Sequence, residues 1–210
     1  MRMSIIIIDY GSGNLRSVEK AFQKFGFDTA VSKDKATIRS AKGVVLPGVG
    51  SFDSALRELR QAGLEGVIEE AIALGKPFLG ICLGLQHLFE SSEEGKEKGL
   101  GILKGHVKKF NFRGTPWQDL SVPHMGWNRL LLKHNAPIFA GVENGSQVYF
   151  AHSYYVIPED EKVVASQTDY GIEFTSAVQR DNLFGIQFHP EKSGAVGLKI
   201  IKNFGELCLK

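Results

Sequence analysis

Cys82 is one of only two cysteines in this 210-residue chain, and it stands between two glycines in Gly80-Ile81-Cys82-Leu83-Gly84. That spacing matches a nucleophile elbow, G-x-S-x-G, with sulfur in place of oxygen. A sharp strand-to-helix turn exposes the nucleophile, and small residues two positions away avoid steric overlap. In an open α/β sheet, ligand chemistry gathers beyond the carboxyl ends of the strands, and Cys82 closes the apolar, strand-like run PFLGIC. A helix N-terminus favours thiolate over thiol, and the thiolate is the reactive form. The alternative is a small buried hydrophobe, the usual fate of a free cysteine. That reading suits Cys208, which lies on an amphipathic C-terminal run with no such pattern.

A cysteine nucleophile needs a base, and the base needs an orienting partner. Among His87, His106, His124, His134, His152 and His189, the last ends the alternating segment LFGIQFHPE and is followed by Pro190 and Glu191. A residue before proline is biased toward extended backbone, where residues two apart project to the same side. Glu191 is therefore expected to reach the His189 imidazole and fix its tautomer. Alone, HPE would more often be a surface turn with a solvated glutamate and an incidental histidine. His87, five residues past Cys82 and about 140° around a helix, should face elsewhere and reads as structural. Gln86, four residues on, lies on the cysteine's side, either meeting a polar substrate or simply exposed.

The elements that must position these groups alternate over the first 90 residues. Met3 to Ile8 reads as a strand covered on both faces. NLRSVEKAFQKFG places Leu15, Val18, Phe22 and Phe25 at helical spacing, with Asn14 as N-cap and Gly26 past the end. Phe27 to Val31 and Gly43 to Leu46 read as strands, Ser51 as the cap of a helix using Phe52, Leu56 and Leu59, and LEGVIEEAIALG as another helix closing at Gly75. The expected sheet is parallel. Beyond Ser91, SSEEGKEKG reads as a solvated loop. Short strands and turns such as Asp169–Gly171 and Arg180–Asn182 then dominate until a final helix with Val196, Ile200, Ile201, Phe204 and Leu207 on one face, capped by Ser193. With no linker or repeat, residues 1–210 are expected to form one domain.

Composition excludes more than it assigns. Apolar residues at 43% and charged residues at 23% fit an ordinary soluble chain, and a formal charge of +2 without basic blocks implies no nucleic-acid partner. The isoleucine run stops at Asp9, too short for a signal peptide or a membrane span. Two distant cysteines support neither a disulfide scaffold nor a zinc site, so the reading is a cytoplasmic protein with no metal and no cofactor.

GICLGLQ, followed 107 residues after Cys82 by His189-Pro190-Glu191, resembles the class I glutamine amidotransferases, which remove ammonia from glutamine with a Cys-His-Glu triad. DYGSGN at Asp9 to Asn14 and PHMGWN at Pro123 to Asn128 are similar to the histidine-biosynthetic branch of that family, and the likeness covers essentially the whole chain. It implies a flavodoxin-like α/β fold of three layers, with a central, mostly parallel sheet and a β-rich C-terminal half. It also implies L-glutamine as substrate and a heterodimer with a cyclase subunit shaped as a (β/α)8 barrel, which makes imidazole glycerol phosphate and aminoimidazole carboxamide ribotide. By the same resemblance PGVG (Pro47, Gly48, Val49, Gly50) is the oxyanion strand. Its donor near Val49 or Gly50 joins the Leu83 N–H, and His152, Ser153 and Tyr154 lie beside bound glutamine; Gly48 and, from its place on the helix, Gln86 are expected at the same substrate site. Pro123, His124, Met125, Gly126, Trp127, Asn128 and Lys192 are expected near the partner, although PHMGWN could also be a loop packing Met125 and Trp127. GSGNLR lacks the third glycine of a dinucleotide fingerprint. Rival readings are a class I glutaminase for another acceptor, an inactive glutaminase-like scaffold that binds a partner, and a cysteine hydrolase acting on a different amide.

Overall fold

The structure, a computed structural model, describes residues 5–210. The expected first strand is β1 (Ile5–Ile8); Met3 and Ser4 of that expectation lie outside the described residues. All four isoleucines are fully buried, and the two-residue period of a strand sends Ile5 and Ile7 into one core and Ile6 and Ile8 into another. A strand apolar on both sides thus has two layers to fill. Each such side chain contributes about 1.5–3 kcal/mol relative to exposure.

The first half runs β1, α1 (Leu15–Gln23), β2 (Thr29–Ser32), α2 (Lys35–Ser40), β3 (Gly43–Gly48), α3 (Phe52–Gln61), α4 (Glu65–Ala73), β4 (Phe78–Cys82) and α5 (Leu83–Gln86). The second runs β5 (Ser91–Ser92), β6 (Gly105–Lys109), β7 (His124–Arg129), β8 (Leu131–Leu132), β9 (Gln147–His152), β10 (Tyr154–Pro158), β11 (Val164–Asp169), β12 (Glu173–Arg180), β13 (Leu183–Ile186) and α6 (Gly194–Leu207). One face of the sheet packs on α1 and α6 through Phe22, Ile200 and Phe204; the other packs on α2, α3 and α4 through Ile38, Leu59 and Ile68. Among the described residues no helix is long and apolar enough to cross a membrane.

The main sheet has the order β2-β1-β3-β4-β13-β12-β10-β6-β5, with β11 joining β12 to β8. From β2 to β13 every pairing is parallel, and beyond β13 antiparallel pairings take over until β5. β7 and β9 form a separate antiparallel pair. The late strand β13 inserts beside β4, with Ile186 opposite Ile81, so the segment after Ile186 emerges next to Cys82.

Three expected features differ. Helix α2 leaves little signal in the sequence, because KATIRS buries only Ile38; Asp34 starts it by accepting from the Thr37 N–H at 2.7 Å. SSEEGKEKG is tied down: Ser91 and Ser92 pair with β6, and Glu97 pairs with Arg60. Asn14, Ser51 and Ser193 occupy helix starts, yet none caps through its side chain. Two of those side chains are used in the site. Gly26 and Gly75 end α1 and α4 at φ +76° and +74°, the left-handed conformation that glycine adopts without penalty.

Candidate active site

Cys82 sits at φ +54° and ψ −108°, a backbone conformation costly for any residue with a Cβ. The flanking glycines make that bend possible. A Cβ on Gly80 would lie 2.8 Å from the Gly84 carbonyl oxygen, and one on Gly84 would lie 1.9 Å from the Leu46 carbonyl oxygen of β3. Both obstacles are backbone and cannot swing aside. Gly84→Ala is therefore expected to destabilise the protein by about 3 kcal/mol or more, measured as a fall in the urea midpoint; an unchanged midpoint would mean that β3 and the elbow are not in contact.

The helix after the elbow is shorter than the sequence suggests. α5 has four residues, and His87 follows it fully buried, its Nε2 3.3 Å from the Phe52 carbonyl and its ring edge-on to Phe52. So short a helix has little macrodipole, and the sulfur must draw on other groups.

His189 is held from both sides of its backbone. Its N–H donates to the Tyr149 carbonyl at 2.9 Å, and its carbonyl accepts from Ser193 Oγ at 2.6 Å, while that same Oγ accepts from the Tyr149 N–H. Its Nδ1 lies 3.0 Å from Glu191 Oε1, and the glutamate side chain is 1% exposed. The expected contact exists, but not by the expected route. Pro190–Lys192 is a turn of 3-10 helix rather than extended chain, with proline at the position whose missing N–H costs nothing. Asn14 Nδ2 donates to the same Oε1 at 3.4 Å, which is where the side chain at the start of α1 goes. Burial alone would lower the His189 pKa; hydrogen bonds and charge from Cys82 and Glu191 outweigh it and raise the pKa.

Cys82 and His189 line a cavity of about 340 Å³ together with Val49, Gly50, Leu83, Gln86, His152, Ser153, Tyr154, Pro123, Met125 and Lys192. Gly48 is not in its wall: it pairs with Cys82 in the β3–β4 ladder and packs against Tyr10 and Leu83. The Val49 N–H is directed to Ser12 Oγ at 3.3 Å. Gln86 is 4% exposed, so it is not a surface glutamine; its Nε2 donates to the Tyr154 carbonyl at 3.2 Å and to Gln187 Oε1 at 3.1 Å. Glu94 also lines the cavity and accepts from the Phe52 N–H at 2.9 Å, filling the place expected for Ser51. A reading of its neighbourhood as solvated loop hid it, since no local pattern marks which of several glutamates turns inward.

PHMGWN, treated as one set in the sequence, is divided by the pleat of β7. Met125 and Trp127 are 64% and 54% exposed, whereas His124 is buried and lies against Phe150 and Tyr170. His124 Nδ1 is 3.1 Å from His152 Nε2, and His152 Nδ1 is 2.8 Å from the Tyr154 carbonyl. A carbonyl only accepts, so His152 carries its proton on Nδ1, and His124 must donate from its own Nδ1. Asn128 Nδ2, 3.3 Å from His124 Nε2, completes the chain as donor. Each ring thus needs to be neutral, and burial holds the pKa of His124 down at about 4 and that of His152 at about 3. Lys192 is exposed, with its ammonium 5.8 Å from the Tyr149 ring centroid. Cys208, by contrast with Cys82, is buried against Gly43, and burial pushes its thiol up to about 12.

A thiol on an elbow beside an imidazole backed by a carboxylate is equipped to attack a carbonyl carbon and to move the proton of the leaving group. The chain belongs to the class I glutamine amidotransferases, whose family model matches residues 6–207. Among curated relatives, the imidazole glycerol phosphate synthase subunit HisH of Geobacter sulfurreducens is 51% identical, covering 97% of this chain and 98% of its own. HisH of Syntrophotalea carbinolica is likewise 51% identical, over 97% of this chain and 100% of its own. Within the class, the chain belongs with these HisH subunits. Solved structures agree on the fold: one described as a glutamine amidotransferase has a TM-score of 0.74 at 17% identity, covering 98% of this chain and 99% of that one. The PurLQS structure from Thermotoga maritima has 0.73 at 22%, covering 97% and 98%. The expected α/β fold with a mixed, mostly parallel central sheet is the one found.

Proposed function

We propose that this chain, acting as one domain, hydrolyses glutamine at Cys82 and passes the ammonia to a cyclase partner in histidine biosynthesis. The observation that carries the reading is the pairing of β13 with β4, which brings His189, with Glu191 behind it, into the same cavity wall as Cys82. The thiolate attacks the side-chain amide carbon, and His189, oriented by Glu191, gives its proton to the departing nitrogen, leaving a thioester and ammonia. Water activated by His189 then releases glutamate and restores the thiolate.

The negative oxygen formed on attack needs donors, and the Leu83 N–H is one. The second is the N–H of Val49 or Gly50. The Val49 N–H bonds to Ser12 Oγ here and so does not serve the oxyanion in the isolated chain, and one missing donor costs about 10² to 10³ in rate. Both hydrogens of Gln86 Nε2 are engaged by protein, so Gln86 meets substrate through its oxygen. Glu94 supplies the carboxylate for the substrate's α-ammonium group, and Ser153 and Tyr154 line the same cavity.

Ammonia released into bulk water is protonated and lost as a nucleophile, so its consumer must sit over the cavity. Exposed Met125 and Trp127, with Pro123 and Lys192 at the rim, form an apolar surface with a cationic edge suited to that docking. The partner is the (β/α)8 cyclase, which uses the ammonia to form imidazole glycerol phosphate and aminoimidazole carboxamide ribotide. Mixing the chain with that cyclase and its ribotide ligand should raise glutamate release about 100-fold or more over the chain alone, the size of one oxyanion donor. An equal rate with and without partner would favour a free-standing amidase; no release in either case would leave an inactive scaffold.

A further inference from the structure

Gln187 is fully buried next to the sulfur, and the mechanism above leaves it unused. We infer that Gln187 is a further catalytic residue, a hydrogen-bond donor to the Cys82 thiolate whose amide is locked in the donating orientation by Gln86. The inference rests on Cys82 being the nucleophile.

The position follows from strand register. Ile186 lies opposite Ile81 in the parallel β13–β4 ladder, so the next residue on each strand, Gln187 and Cys82, emerge side by side. Gln187 Nε2 is 3.6 Å from Cys82 Sγ, within reach for a bond to sulfur. The orientation follows from a chain of acceptors and donors. The Tyr154 carbonyl can only accept, so Gln86 must turn its Nε2 toward it, at 3.2 Å. That same Nε2 faces Gln187 Oε1 at 3.1 Å, and a flipped Gln187 would set two amide nitrogens against each other. Gln187 is left with its N–H groups on the sulfur side. The carbonyl that anchors the chain is held in turn by His152 Nδ1 at 2.8 Å, and His152 by His124. The sulfur's donor is thus set by a buried network rather than by the side chain's own preference.

A donor fixed on sulfur favours the anion over the thiol, because a bond to a charged acceptor is stronger than one to a neutral one. Four-residue α5 supplies little of that stabilisation, and Gln187 supplies it without adding charge. The titratable groups around the sulfur are His189 with Glu191 behind it, Tyr10 from the β1 end, His152 beyond His189, and Glu94, Tyr154 and Lys192 along the cavity wall. None of them is altered by changing Gln187.

The test is the pH dependence of Cys82 alkylation by iodoacetamide in the full chain, read on the Cys82 peptide by mass spectrometry so that Cys208 does not contribute. Gln187→Leu should move the midpoint upward by about one pH unit and slow alkylation about tenfold below it, with the limiting rate at high pH unchanged. Gln187→Met, similar in length and without an N–H to donate, should move it about as far. A folded variant with the wild-type midpoint overturns the proposal. If neither variant folds, the side-chain amide of Gln187 in the wild-type protein, followed by nitrogen-15 NMR, should shift as Cys82 ionises and stay still in Cys82→Ala; no shift in the wild type overturns it equally. Alkylation needs neither glutamine nor partner. A shifted midpoint without glutaminase activity would therefore sink the proposed function alone, and glutaminase activity with an unshifted midpoint would sink this inference alone.

Discussion

Cys82→Ala should leave the complex folded and able to make its product from added ammonium salts, while glutamine-dependent synthesis falls by at least about 10⁴-fold. In the proposed mechanism the two activities separate because only the first step needs sulfur: without a thiolate no thioester forms, and neither His189 nor the oxyanion donors can replace a covalent step. Alanine suits the test because it keeps a Cβ and so carries the same backbone penalty at φ +54° that cysteine already does. Removing the sulfur leaves the Gln187 amide without that partner but adds no group to the core. Synthesis from both nitrogen sources is measured side by side on one preparation. Survival of glutamine use in the variant would show that another group attacks the amide.

Glu191→Gln should lower kcat for glutamine by about 10² to 10⁴ with little change in KM. The carboxylate accepts from His189 Nδ1 at 3.0 Å, which leaves Nε2 free for the proton transfer proposed above. A glutamine in the same place can turn an N–H toward Nδ1, select the other tautomer and remove the base. Even if its oxygen stays toward the ring and Asn14, the negative charge that raises the His189 pKa is lost. The side chain does not line the cavity, so substrate binding should persist. Steady-state kinetics in the complex decide it. A wild-type kcat would show that the imidazole needs no orienting charge, and a rise in KM alone would make Glu191 a binding residue.

The elbow and the HPE segment were legible because their geometry is local. Glycines at Gly80 and Gly84 bear on a bend two residues away, and Glu191 reaches its neighbour His189 whether the chain is extended or, as found, turned in a 3-10 helix. The two-layer burial of the Ile5–Ile8 run was legible for a similar reason, since strand alternation needs no knowledge of the partner. The residues that sequence reasoning passed over are those whose meaning depends on a distant segment. Asn14 and Ser193 have the residue types and positions of helix caps, and only the approach of the Pro190–Lys192 turn redirects their side chains to Glu191 and to the backbone around His189. Glu94 is one glutamate in a polar run until the N-terminus of α3 meets it.

The amino-acid sequence by itself determined which reactive groups this protein carries, where its chain bends sharply and which strands must be covered on both faces, because those properties depend on side-chain chemistry and on neighbours a few residues away. Tertiary structure alone decided which of those groups meet. The insertion of β13 beside β4 sets Gln187 and His189 against Cys82, and the pairing of β7 with β9 turns His124 inward while leaving Met125 and Trp127 outside. Strand register and pleat are settled by long-range hydrogen-bond pairing, and a shift of one residue in either strand would exchange the inner face for the outer one.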